Sequence, residues 1–124
     1  MSTFNEYLKE ILQQIQVSYN ILTELKDKPD DLKIMRNELA KINGLLIVIR
    51  NKLEKTKNDS DNFVTLLKLS SYYHETYDFS REIEMLKQVY HQDSDRLKNL
   101  RLLIIDSLND KRMIEKFQAI LKKI

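Results

Sequence analysis

The sequence predicts an all-α protein: a compact bundle or array of five to six antiparallel amphipathic helices around a long central helix at about residues 30–57. Three observations carry that prediction. The 124 residues include a single Gly and a single Pro, whereas sheets joined by tight hairpins need such turn residues at short intervals. Apolar side chains recur at helical spacing through most of the chain. Apolar residues at 42% and charged residues at 32% match a folded helical protein rather than a disordered one. The length suits a single helical domain, residues 1–124, made of an N-terminal helical hairpin (3–57) and C-terminal helices (62–124).

The central helix is the strongest element. Leu32, Met35, Leu39, Ile42, Leu46, Ile49 and Leu53 are separated by 3 and 4 residues in alternation, so all seven share one face. A helix of this length spans about 40 Å. Asp27 or Asp30 can cap its start, and Asp30 and Asp31 suit the positive pole of its first turn. Arg50, Lys52, Lys55 and Lys57 suit the opposite pole. Leu45, Ile47 and Val48 lie off the seam, which makes the helix apolar nearly all round beside Gly44. Those side chains need cover, either from the last helices or from a partner. Gly44 costs about 1 kcal/mol against Ala inside a helix. Either close approach of another backbone or a tolerated defect accounts for it.

The helix before it starts at Thr3, whose hydroxyl and Glu6 form a capping box. Phe4, Leu8, Ile11, Ile15, Leu22 and Leu25 form its stripe, with Ser18 filling the gap and Leu12, Tyr19 and Ile21 widening it. Pro29 ends it, and Lys26 and Lys28 suit its negative pole. The short connection makes these two helices antiparallel neighbours.

Five polar turn-formers at 58–62 precede a third helix over 63–77, which presents Phe63, Leu66, Leu67, Ser70, Tyr73 and Tyr77. Asp78, Phe79 and Ser80 form a weaker break. Ser80 caps a fourth helix carrying Phe79, Ile83, Leu86, Val89 and Tyr90, and one continuous helix over 63–91 is the alternative. In the polar cluster at 92–95, Ser94 can cap a fifth helix with Leu97, Leu100, Leu103, Ile104 and Leu108. Asn109 and Asp110 stop and restart the chain, and the last helix carries Met113, Ile114, Phe117, Ile120, Leu121 and Ile124.

Residues 66–94 resemble a tetratricopeptide repeat, a helix pair found in stacked arrays that bind other proteins. Leu66, Leu69, Ser70 and Tyr73 fall where the first helix of that pattern wants Leu, Leu, a small residue and Tyr. Asp78 and Phe79 match its Asp-Tyr turn, and Leu86 its second-helix apolar position. Glu82 and Val89 stand where the pattern wants Ala, and Ser94 where it wants Pro. The resemblance implies protein binding.

Catalytic constellations are missing at the level of sequence. His74 and Glu75 begin a metalloprotease-like run, but its fifth position is Asp78. Ser71 and Gln88 stand three residues before His74 and His91, so the Glu-x-x-His signature of di-iron bundles is absent. There is no Gly-rich phosphate loop and no G-x-S-x-G elbow. No Cys is present, which excludes thiolate catalysis, cysteine zinc sites and disulfides. The expectation is no enzyme, no cofactor and no metal.

Two surface features remain. Tyr72, Tyr73, Tyr77 and Tyr90 crowd into nineteen residues and cannot all share one narrow stripe. With Leu45, Ile47 and Val48 they form a candidate protein interface, since Tyr brings area and a hydroxyl at modest entropy cost. Lys111, Arg112, Lys116, Lys122 and Lys123, opposed only by Glu115, form a candidate basic patch. The expected function is a non-enzymatic protein-binding helical module: an adaptor, a secretion-type chaperone, or an inhibitor or regulator acting by contact. Its partner is another protein or a second copy of itself, a homodimer included. A small helical subunit of a nucleic-acid-handling complex is the alternative, although a net charge of +2 advertises no such partner by itself. No secretory signal is visible at the start, and the longest apolar run, 45–49, is far short of the ~20 residues of a membrane span. A cytoplasmic, oligomer-forming protein without membrane contact is the expectation.

Overall fold

The computed structural model describes residues 3–28, 30–56, 61–77, 79–88 and 93–123, with side chains at all of these except 3, 4, 56, 80, 83, 86 and 87. Among them the structure is all-helical, with no strand. Helix α1 runs Thr3–Glu24, α2 Asp31–Thr56, α3 Asp61–Thr76, α4 Ser80–Gln88 and α5 Ser94–Asn109. A 3₁₀ turn, Asp110–Arg112, leads into α6, Met113–Lys123. No helix of the described residues is long and apolar enough to cross a membrane.

The alternating seam of α2 is where the core forms. All seven of its residues are buried, with Met35, Ile42, Leu46 and Ile49 sealed completely. Each such side chain contributes roughly 1.5–3 kcal/mol relative to an exposed one. Leu8, Ile11, Leu12, Ile15 and Leu22 bury the facing stripe of α1, with Ser18 in the gap. Helix α2 packs against α1, α3 and α4, while α5 and α6 pack against α1 and each other.

Among the described residues, 63–88 fall into two helices rather than one. The α-helix stops at Thr76 and restarts at Ser80. The Tyr77 amide still donates to the Tyr73 carbonyl at 3.0 Å, and Phe79 is buried with its ring stacked on Tyr77 at 6.0 Å. On α3, Leu69 joins Phe63, Leu66, Ser70 and Tyr73 inside, while Leu67 is half-buried. Val89 and Tyr90, expected on α4, lie outside the described residues, as do Asp78, His91 and Ile124.

Helix α3 already begins at Asp61, so Asp61 and Asn62 are helical rather than part of the turn, and Ser80 is helical rather than a cap. Three further boundaries differ from expectation, each for a local reason. Helix α1 ends at Glu24, so Lys26 and Lys28 sit in the connection rather than in the last helical turn. The Asp31 carboxylate accepts the amides of Lys26 (3.0 Å) and Lys28 (3.1 Å) and thereby fixes that connection. Of Asp27 and Asp30, the two candidate caps for α2, Asp27 adopts a left-handed backbone (φ 61) and turns its carboxylate to Arg101 instead, while Asp30 directly precedes the helix. At α5 the cap is Asp93 rather than Ser94: the Asp93 carboxylate accepts the Arg96 amide at 3.1 Å, and Ser94 is already helical.

Helix α5 also departs from its expected stripe. Leu103 is 52% exposed, and Arg101 takes the buried position between Leu97 and Ile104. Its guanidinium makes a two-pronged contact with Asp27, Nε to Oδ1 at 2.7 Å and Nη2 to Oδ2 at 3.0 Å. Nη1 donates to the Leu22 carbonyl at 3.3 Å. A side chain on α5 thus holds both the end of α1 and the turn into α2. The Asp27 carboxylate, despite opposing desolvation, raises the Arg101 pKa further.

Candidate functional site

Two helices packed along one seam leave a groove on each outer side unless a third helix covers it. Helices α1 and α2 leave such a groove open, with a cavity volume of about 820 Å³. From α2 it is lined by Glu38, Ala40, Lys41, Gly44, Leu45 and Val48. From α1 it is lined by Glu10, Gln13, Gln14, Val17, Ser18 and Ile21. Leu45 and Val48 are half-buried in its wall and Val17 stands 57% exposed, so apolar surface faces outward. Ile47, the third off-seam residue, is exposed but does not line this groove.

Glu38 is the unusual member. It is buried, one carboxylate oxygen accepting from Lys41 Nζ at 3.1 Å. The other oxygen, Oε1, is buried with no hydrogen-bond partner among the described residues. An unpaired buried acceptor costs about 1–3 kcal/mol, and more when it carries charge. The Lys41 side chain is 62% exposed, so its grip on the carboxylate is made from the water side.

Gly44 lies in the same wall. Nothing is within 4 Å of the place a Cβ would occupy, so packing inside the chain does not explain the residue. Its helical backbone needs no glycine either, since its φ is not positive.

Tyr72, Tyr73 and Tyr77 lie elsewhere, Tyr73 buried and the other two half-buried. Tyr73 is buried beside Ser107, and that burial, only partly offset by the neighbouring hydroxyl, pushes its phenol up to about 12. Tyr72 donates to Asp110 Oδ2 at 2.8 Å, and Tyr77 donates to the same oxygen. The rings of Tyr72 and Tyr77 meet edge to face at 6.2 Å. Both hydroxyls hold the Asp110 carboxylate below the usual range, and that bond in turn raises the Tyr77 phenol. Tyr90 lies outside the described residues.

This cluster anchors a strained turn. Lys111 and Arg112 both take left-handed backbone conformations (φ 55 and 58), worth about 1–2 kcal/mol each against an ordinary helix. Asp110 is fixed by the two tyrosines, and Lys111 Nζ sits 4.1 Å from the centroid of the Tyr72 ring. Of the candidate basic residues, Lys111 is therefore engaged with an aromatic ring, and Arg112 reaches Glu115 at 3.5 Å. Lys116, Lys122 and Lys123 are exposed along α6, the last two in its final turn, where the helix dipole favours cations.

Among the described residues no group of three or more His, Asp or Glu side chains could hold a metal ion. His74 is half-buried on α3, and its Nε2 has no hydrogen-bond partner there. The groove thus gathers Leu45 and Val48 but neither the tyrosines nor the basic segment. It adds Glu38 and Val17, which stand outside the apolar stripes named above, and Ile21, which widens the α1 stripe. No protein-family model, no curated protein and no solved structure matches this chain.

Proposed function

We propose that this protein is a non-enzymatic binding module of the adaptor, chaperone or inhibitor kind, which receives a segment of another protein in the α1–α2 groove. In this reading α2 is the spine of a compact bundle, one face given to the core and the other to the partner. The observation that carries it is the open groove itself, about 820 Å³, lined by exposed Val17 and half-buried Leu45 and Val48. Apolar walls of this kind, left uncovered, mark interaction surfaces. Leu45→Arg combined with Val48→Arg tests it. These side chains are only half-buried, so the bundle should keep its helical signal while the native partner is lost from pull-downs. Undiminished recovery with the double variant would exclude the groove.

A second reading rests on Lys116, Lys122 and Lys123, which are exposed together on α6. A helical subunit of a nucleic-acid-handling complex would present such a face to phosphates. A gel shift that weakens steeply with salt would support it, and no shift at low salt would dispose of it.

A further inference from the structure

We infer that the segment received by the groove is an amphipathic helix carrying one Lys or Arg on its apolar face, and that this cation pairs with Glu38. The inference rests on the docking reading above and adds the chemistry of the occupant.

Two features select a helix. The groove wall from Glu38 to Val48 extends about 15 Å along α2, nearly three helical turns, which matches anchors at i, i+3 or i+4, and i+7. Gly44, in the middle of that wall, leaves open space where every other residue would place a Cβ. A glycine there lets a second helical backbone come close, and no neighbour within the chain uses that space.

One feature selects a cation. Among the described residues Glu38 holds only Lys41, at Oε2, and its Oε1 is buried without a donor, so the carboxylate is short of donors and a cation from the partner would meet it on the Oε2 side that Lys41 occupies. Glu10, on the facing helix, adds a second negative charge to the lining, against Lys41 alone. Because Lys41 grips Glu38 from the water side, a partner cation can displace it without unpacking the core. An acidic segment would instead bring like charge to a desolvated carboxylate.

The test uses the full chain and a displayed library of amphipathic helices of about four turns, with one position of the apolar face randomised. Wild-type protein should enrich Lys or Arg at that position. The best peptide should lose about tenfold or more in affinity on Glu38→Gln, as expected for a charge-assisted hydrogen bond. Replacing its cation by norleucine should cause a similar loss, and the two changes together should not add. Circular dichroism melting of Glu38→Gln checks that its fold persists. Peptides that bind wild type and Glu38→Gln equally would overturn the cation anchor and leave the docking reading standing. No binder, or binders indifferent to Gly44→Trp, would overturn both. A solution mass twice that of one chain, halved by Gly44→Trp, would make a second copy the occupant and also overturn the proposal.

Discussion

Replacing Asp27 by Asn removes the charge that faces Arg101 while keeping a residue type that tolerates the left-handed backbone at that position. The two side chains are only 10% and 13% exposed, with paired contacts of 2.7 and 3.0 Å. At an effective dielectric of about 20, charges about 4 Å apart attract by about 4 kcal/mol, and desolvation opposes much of that. Breaking one side of a buried pair typically costs 3–5 kcal/mol. Because both groups touch solvent and Asn can still accept one hydrogen bond, the lower end applies, about 3 kcal/mol. Arg101→Met should cost about 2 kcal/mol, since Asp27 then regains water. The double variant should be about as stable as Asp27→Asn alone, a coupling of about 2 kcal/mol. Urea denaturation followed by circular dichroism measures all three. A loss below about 0.5 kcal/mol for Asp27→Asn, or strict additivity, would refute the idea that this pair fastens the α1–α2 turn to α5.

Gly44→Ala should raise stability by about 1 kcal/mol, because the helix gains propensity and the added methyl meets nothing within 4 Å; a lower melting temperature would contradict this. Tyr73 has a folded pKa raised from 10.0 to about 12, so its contribution is intact below pH 10 and is lost as pH climbs toward about 12. Tyrosinate absorbance should show a late phase, to which Tyr77 also contributes, that coincides with loss of helix and shrinks by one tyrosine in Tyr73→Phe; uniform titration in a folded chain would exclude it. Asp110 has a folded pKa lowered by Tyr77 and Tyr72, so its contribution is present above the unfolded value and lost as pH falls through the folded one. Asp110→Asn should therefore be less stable than wild type at neutral pH and lose less on acidification, read as melting temperature against pH. Parallel curves would contradict that.

How much of this was legible in the sequence depends on whether a signal is local. The α2 seam repeats within a single helix, so all seven of its positions are read correctly as core from spacing alone. The groove-lining Leu45 and Val48 follow from the same pattern, because with Ile47 they are the apolar residues it leaves over. Glu38 was hidden by its type, since carboxylates usually belong to solvated faces. A signal was nevertheless present: Met35, Glu38, Ile42, Leu45 and Ile49 also alternate 3 and 4 residues apart, so Glu38 stands in the row of Leu45. Arg101 likewise sits in register with Leu97, Ile104 and Leu108. Its partner could not be read, because 74 residues separate it from Asp27 and tertiary packing alone brings them together. The tyrosines illustrate the opposite case. Their clustering and the break at Asn109 and Asp110 were both visible, but the shared use of Asp110 joins residues 33 and 38 positions apart, which no local pattern announces.

Docking in the α1–α2 groove is tested most directly by placing a photo-crosslinking amino acid at Val17 or Val48, with exposed Leu103 on α5 as the control position. Mass spectrometry of the products from the native extract then maps the segment of the partner that was touched. The groove predicts one recurrent protein, cross-linked from Val17 and Val48 but not from Leu103, through a helical segment with Lys or Arg placed to reach Glu38. Cross-links from Leu103 alone, or a groove-facing segment with no basic residue, would contradict it.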